Sequence, residues 1–213
     1  EGIDTLYVDT QKTRYIDRFP AADIETIDSY NLDVIIRIGF SILDGDILHV
    51  AKHGVWSLHH GDNRFNRGGP PAFWETMQSW NTVGSILHKL NSEINNGLVL
   101  SRGQAPVDRF SLAQTRNNLY WKSQAMISRE LCRLHSIGAN AFFASDRLPE
   151  QSDFQFYSHR LFKYPLPSEY LRLSINKIWE KVKYVARNKR YIDQWVLMFH
   201  FSDKALTSPC HYK

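Results

Sequence analysis

The chain has 213 residues but only two cysteines, Cys132 and Cys210. Two cysteines cannot build a disulfide framework, and Cys132, inside a helical pattern, reads as a small core residue. No stretch is both long and apolar. The richest run, Val34 to Leu43, is broken by Arg37 and is too short to span a bilayer. The amino terminus, Glu1-Gly2-Ile3-Asp4, carries no secretory pattern and no initiator methionine, so it reads as a cut end and a cytoplasmic location is expected. No internal repeat or low-complexity tract is visible.

What is present suits a globular α/β protein. The apolar fraction is 43%, enough for a sizeable core, and the formal charge is +4. Much of the positive charge falls between Arg172 and Arg190. Such a run reads as a solvated helix face rather than a phosphate or nucleic-acid footprint. Ala21–Tyr30 has a helical pattern, Val34–Phe40 is a β-branched strand, Asp44–Ala51 a brief helix, and Gly54–His59 the next strand. Leu6–Val8 reads as a short strand, Ala72–Ser79 as a helix, and Gly84–Leu90 and Leu98–Ser101 as strands around an Asn-Asn-Gly turn. Gln114–His135 is a long helix closed by Gly138. Pro149, Pro165 and Pro167 mark a linker over 145–167, which separates an α/β domain at 1–144 from a basic helix plus strand at 168–213. That strand is expected over Trp195–Phe201, as the start of a further module.

The densest reactive cluster is Ser57, His59, His60, Asp62 and Arg67, at the carboxyl end of a predicted strand and in the loop after it. Ligands of open α/β sheets bind there. His59, His60 and Asp62 could ligate a metal, but no second well-spaced ligand group is visible and none is expected. The aromatic rings Trp56, Phe73, Trp74 and Trp80 read as core or pocket wall.

Three segments in this order resemble the formyltransferase family, whose members use a 10-formyl folate donor. Val34-Ile35-Ile36-Arg37-Ile38-Gly39-Phe40-Ser41-Ile42-Leu43 is similar to its apolar strand with a Gly-aromatic-x-x-Leu ending. Gly54-Val55-Trp56-Ser57-Leu58-His59 is similar to its Gly-x-x-Asn-x-His strand, and Ile94-Asn95-Asn96-Gly97 to its Leu-Asp-x-Gly loop. The segment Arg67-Gly68-Gly69-Pro70-Pro71-Ala72-Phe73-Trp74-Glu75 looks like a bacterial branch distinct from the enzymes that act on transfer RNA or purine precursors.

The resemblance implies a Rossmann-like, mostly parallel sheet with a helical carboxyl-terminal extension. The stretch before Val34 is roughly one βαβ unit, so the sheet is expected to be amino-terminally incomplete. The implied activity is transfer of a formyl group from 10-formyltetrahydrofolate to a small-molecule amine, in particular a nucleotide-linked or lipid-linked amino sugar. His59 would be the electrostatic and acid–base residue. Ser57 stands where the family has Asn and would be the oxyanion donor. Asn95 stands where it has Asp and would orient the histidine, with Asp62 as a surrogate carboxylate. Ile42, Leu43, Asn96 and Gly97 would line the folate site, and His60, Arg67, Gly68 and Gly69 the acceptor site. The two exchanges also leave open a second reading, a ligand-binding or scaffolding domain that has lost catalysis.

Overall fold

The computed structural model describes residues 5–65, 70–91, 97–145 and 164–202, with side chains described to residue 188. It forms two units, Glu1–Tyr164 and Pro165–Lys213.

The first unit is α/β, with helices on both faces of a four-stranded sheet. The strands are β3 (Ile35–Arg37), β5 (Val55–His59), β6 (Thr82–Lys89) and β7 (Leu98–Pro106), in the order β3-β5-β6-β7. A smaller sheet joins β1 (Gln11–Lys12), β2 (Ile16–Arg18) and β4 (Ile42–Leu43). The larger sheet is mixed rather than mostly parallel. β3 and β5 run parallel, as expected for neighbours joined through a helix, but β5–β6 and β6–β7 are antiparallel. The short connection from Lys89 to Leu98 has no room for the crossover that a parallel pair needs.

The long apolar run does not continue as one strand. Gly39, at φ 83°, turns the chain after β3, and Ile42–Leu43 leaves to pair with β2 in the other sheet. A positive φ is a glycine conformation, so the Gly39 position explains the break. Leu6–Val8 is not a strand; it has no sheet to join, and Tyr7 is 91% exposed.

Both sheet faces are covered. On one side lie α4 (Leu112–Ile137) and α5 (Ala139–Phe143). Trp56, Leu87, Leu100, Met126, Leu134 and Phe142 form the core there, with Trp56 stacked on Phe142 at 5.8 Å between ring centres. The Ser111 hydroxyl caps α4 by accepting from the Gln114 N–H, and Gly138 ends it at φ 75°. Cys132 is exposed on this helix rather than in the core; its neighbour positions Glu130 and Leu134 take the buried stripe. On the opposite face, α1 (Ala21–Ser29) and α2 (Ile47–Val50) cover Leu43, Ile47, Leu48 and Val55, with Ile24, Ile27 and Ile35 beside them. The short α3 (Phe73–Met77) follows the loop after β5.

The second unit contains α6, Pro167–Ser202. Residues 195–201 continue this helix and do not form the expected strand. No Gly interrupts the run after Pro167, and Leu197 and Met198 favour a helix as much as Val196 favours a strand. Among the described residues no helix is long and apolar enough to cross a membrane.

Candidate functional site

Side chains alternate along a strand, so β5 sorts its residues between two faces. Trp56 and Leu58 join the core beneath α4, which leaves Ser57 and His59 on the other face. Register then selects their neighbours. Ser57 lies opposite Arg37 of β3 on one side and His88 of β6 on the other, and His59 lies opposite Ile86. Four polar side chains therefore share one patch of sheet near the carboxyl end of β5.

Their surroundings differ. Ser57 is buried, at 1% exposure, and its Oγ accepts from Nη1 of Arg37 at 3.0 Å. The same guanidinium donates from Nε and Nη2 to the Ser41 carbonyl at 3.1 and 2.7 Å, and from Nη2 to the Phe40 carbonyl. Arg37 thus clamps the turn after β3 onto β5. Buried Asp17 completes the clamp by accepting from the Ser41 N–H at 2.8 Å. Burial lowers the Arg37 pKa, and the Asp17 charge opposes that shift.

His88 is 2% exposed, and its Nδ1 has no hydrogen-bond partner among the described residues. Its pKa is lowered from 6.5 to about 3, first by burial and then by the charges of His59 and Arg37. It is therefore neutral at pH 7. The His59 and His88 rings meet edge-on, 6.5 Å apart.

The other predicted site residues scatter. His60 points to the α4 side, edge-on to Tyr120 at 4.4 Å with Nε2 3.3 Å from the Ser123 hydroxyl, and burial lowers its pKa. Asp62 lies in the loop after β5, where its carboxylate is held by Arg64 and Arg102. Its Oδ1 lies 2.9 Å from Nε of Arg64 and 3.0 Å from Nη1 of Arg102. Its pKa is lowered: burial pushes it up, but the hydrogen bonds and charges of Arg64 and Arg102 outweigh that. Gly84 makes room for this loop, since a Cβ there would lie 2.6 Å from Asp62 Cβ. Leu43 is core, at 5% exposure, and Ile42 beside it is half-buried. Gly97 packs so closely that a Cβ would lie 2.0 Å from the Lys89 carbonyl oxygen. Arg67, Gly68, Gly69, Asn95 and Asn96 lie outside the described residues.

Arg37 and His88 were not singled out from sequence, although each carried a signal. Arg37 is a charge inside an otherwise apolar strand, and His88 shares the parity of the buried Ile86. Among the described residues no group of three or more His, Cys, Asp or Glu side chains is placed to hold a metal.

No family model matches the chain. A curated relative, the bifunctional polymyxin resistance protein ArnA of Wigglesworthia glossinidia brevipalpis, is 26% identical over 147 residues. That match covers 67% of this chain and 21% of the relative, so the chain spans about a fifth of that protein's length. Solved structures with similar folds include the formyltransferase PseJ of Anoxybacillus kamchatkensis, in complex with UDP-4,6-dideoxy-4-formamido-L-AltNAc and tetrahydrofolate. It is 19% identical with a TM-score of 0.47, over 71% of this chain and 73% of PseJ. The chain resembles the formyltransferases. HypX of Aquifex aeolicus is a further similar structure, 16% identical with a TM-score of 0.48, over 70% of this chain and 25% of HypX. The methionyl-tRNA formyltransferase of Clostridium thermocellum is 14% identical with a TM-score of 0.47, over 64% of this chain and 56% of its own.

Proposed function

We propose that this formyltransferase-like domain transfers a formyl group from 10-formyltetrahydrofolate to the amine of an amino sugar, carried on a nucleotide or a lipid. The observation that carries the reading is the placement of His59 at the carboxyl end of β5, beside buried His88. The donor supplies the formyl carbon. As the acceptor nitrogen attacks that carbon, its oxygen gains negative charge, and a histidinium at position 59 would stabilise it. The acceptor nitrogen then loses a proton and the folate nitrogen gains one as its bond to the formyl carbon breaks. Neutral His88 lies edge-on to the His59 ring, 6.5 Å between ring centres. Ser57 keeps its O–H to donate while it accepts from Arg37, but at 1% exposure it is buried away from the substrate. In this reading Asp62 is a structural anchor for Arg64 and Arg102, because its ionised form is too well held to be a good proton acceptor. Ile42 and the Gly97 backbone are left to meet the pterin, since the Leu43 side chain is core.

The test is formyl transfer from 10-formyltetrahydrofolate to a panel of nucleotide-linked amino sugars. His59→Ala should lower the rate by about 10²–10⁴-fold. An unchanged rate would sink the reading. Asn95→Asp, which restores the family carboxylate, should raise the rate.

A second reading is a binding domain without catalysis. It is favoured by the burial of Ser57 beneath Arg37 and by Asn in place of Asp at position 95. It expects donor binding by titration calorimetry with no transfer to any amine, and no transfer gained in Asn95→Asp.

A further inference from the structure

A second concave site lies at the rim of the larger sheet. Among the described residues β7 is an edge strand with β6 as its one strand neighbour. A cavity of about 480 Å³ opens along that edge at Gly103. Strand alternation places Arg102 and Gln104 on the face that carries His59, and Ser101, Gly103 and Ala105 on the α4 face. The cavity therefore wraps the strand edge. Arg102, Gln104, Asp62 and Arg64 line it from one side, and Lys122, Met126 and Arg129 from the other.

Its electrostatics are one-sided. Among the described residues four cations line the cavity, Arg64, Arg102, Lys122 and Arg129, against one carboxylate, Asp62. Glu130, just outside, is already shared between Arg129 at 3.1 Å and Arg133 at 3.2 Å. The three arginines are also held in place. Arg102 donates to Asp62 at 3.0 Å and to the Asn63 side-chain oxygen at 2.7 Å, and its side chain is 17% exposed. Arg129 donates to the Ser101 hydroxyl at 2.5 Å. Burial lowers the Arg102 pKa, the sign of a guanidinium that has lost water and that a second anion would favour. Gly103 keeps the floor open, because a Cβ there would press on the Ser85 hydroxyl at 3.3 Å and on the Met126 sulfur at 3.4 Å. A cavity of this size suits a nucleotide-sized ligand, and arginine forks suit phosphate oxygens.

We propose that this rim cavity binds a diphosphate-bearing small molecule, at a site separate from His59 and independent of formyl transfer. Cations beside an edge strand also discourage pairing with a second copy, and that role alone requires no saturable ligand.

The experiment is calorimetric titration of the chain with pyrophosphate, and separately with ADP, at low ionic strength. It compares the parent protein with Lys122→Glu and Gln104→Glu. Both positions are exposed and lie on opposite sides of the cavity, and circular dichroism checks that each variant folds. Saturable one-site binding of pyrophosphate, weakened about tenfold or more in each folded variant and lost as salt screens the charges, is the expected result. Tighter ADP binding would assign the diphosphate to a nucleotide, and equal affinity to the diphosphate alone. Absence of saturable binding, or unchanged affinity in both folded variants, overturns the proposal. So does displacement of pyrophosphate by a poly-glutamate decapeptide at lower concentration than by ADP, which would make the edge a strand-docking surface instead.

Discussion

The two faces of the four-stranded sheet are made by the same strands but differ in chemistry at the carboxyl end of β5. Toward α4, Trp56, Leu87 and Leu100 meet Met126, Leu134 and Phe142 in an apolar core. Away from it, the residues one step along, Ser57, His59 and His88, with Arg37 beside them, form a polar patch. An apolar face gains free energy roughly in proportion to the area it buries. A polar face under cover loses free energy unless every group finds a partner. Arg37 meets that demand through the Ser57, Phe40 and Ser41 oxygens, whereas His88 Nδ1 has no partner among the described residues. Both faces bury apolar side chains, but only the face away from α4 also carries the polar patch, beside the Leu43, Ile47, Leu48 and Val55 core. Substitutions should separate the two.

The largest effect is expected on the apolar side. Trp56 is fully buried and stacks on Phe142. Trp56→Ala should cost about 3–5 kcal/mol in urea unfolding, because it removes the ring and leaves a cavity. A cost under about 1 kcal/mol would mean that the α4 face is not where the fold is secured.

Next comes the acid response of the polar side. The His88 pKa is about 3 in the folded chain, against an ordinary value of 6.5. Between those values the unfolded chain binds a proton that the native chain does not. The contribution of neutral His88 is therefore intact above pH 6.5 and is lost as pH falls toward 3. By pH 4 the loss is on the order of 3–4 kcal/mol at about 1.4 kcal/mol per unit. His88→Gln should flatten the fall in urea midpoint between pH 7 and pH 4, while Trp56→Ala should lower the curve without changing this slope. An unaltered slope in His88→Gln would remove His88 as the source.

Strand and helix positions were legible where a pattern had one physical cause. Val55–His59 and the long helix closed by Gly138 are examples, the second because a periodic apolar stripe and a glycine stop agree. Pairing direction was not, since a β-branched run suits parallel and antiparallel sheets alike and connection length decides between them. Trp195–Phe201 reads as a strand by composition, yet it extends a helix already started at Pro167, and propagation adds less cost than a new element. Within the site, Ser57 and His59 are local in sequence and were found together. Arg37 and His88 reach them only through register, which no single segment reveals.

A smaller effect is expected where the polar side meets the loop after β5. The Asp62 carboxylate is 10% exposed and neutralises Arg64 and Arg102, whose side chains are 31% and 17% exposed. Asp62→Asn keeps the shape but leaves a half-buried guanidinium uncompensated. The expected cost is about 2 kcal/mol, below that of a fully buried pair because Arg64 can turn to solvent. The loss should shrink in high salt, where surrounding ions screen the freed cations, and this salt response sets it apart from Trp56→Ala.

The smallest effect tests whether the serine on the polar face acts as a clamp or as a donor. Ser57 is 1% exposed and accepts from Arg37 at 3.0 Å, and Arg37 also holds the Phe40 and Ser41 carbonyls. Ser57→Ala removes a single hydrogen bond from a guanidinium that keeps its others, so unfolding should cost only about 1 kcal/mol. Formyl transfer, if present, should change by less than about tenfold, since a hydroxyl beneath Arg37 does not reach the developing oxyanion. Loss of an engaged oxyanion donor costs about 10²–10³-fold. A rate fall of that size with little change in stability would show that Arg37 lifts during the reaction and that Ser57 faces the substrate. A rate held within tenfold alongside the small stability loss would leave His59 to carry the charge alone. Arg37→Lys then supplies the control. It keeps the positive charge but loses the planar fork that spans three acceptors, so it should destabilise the chain more than Ser57→Ala does.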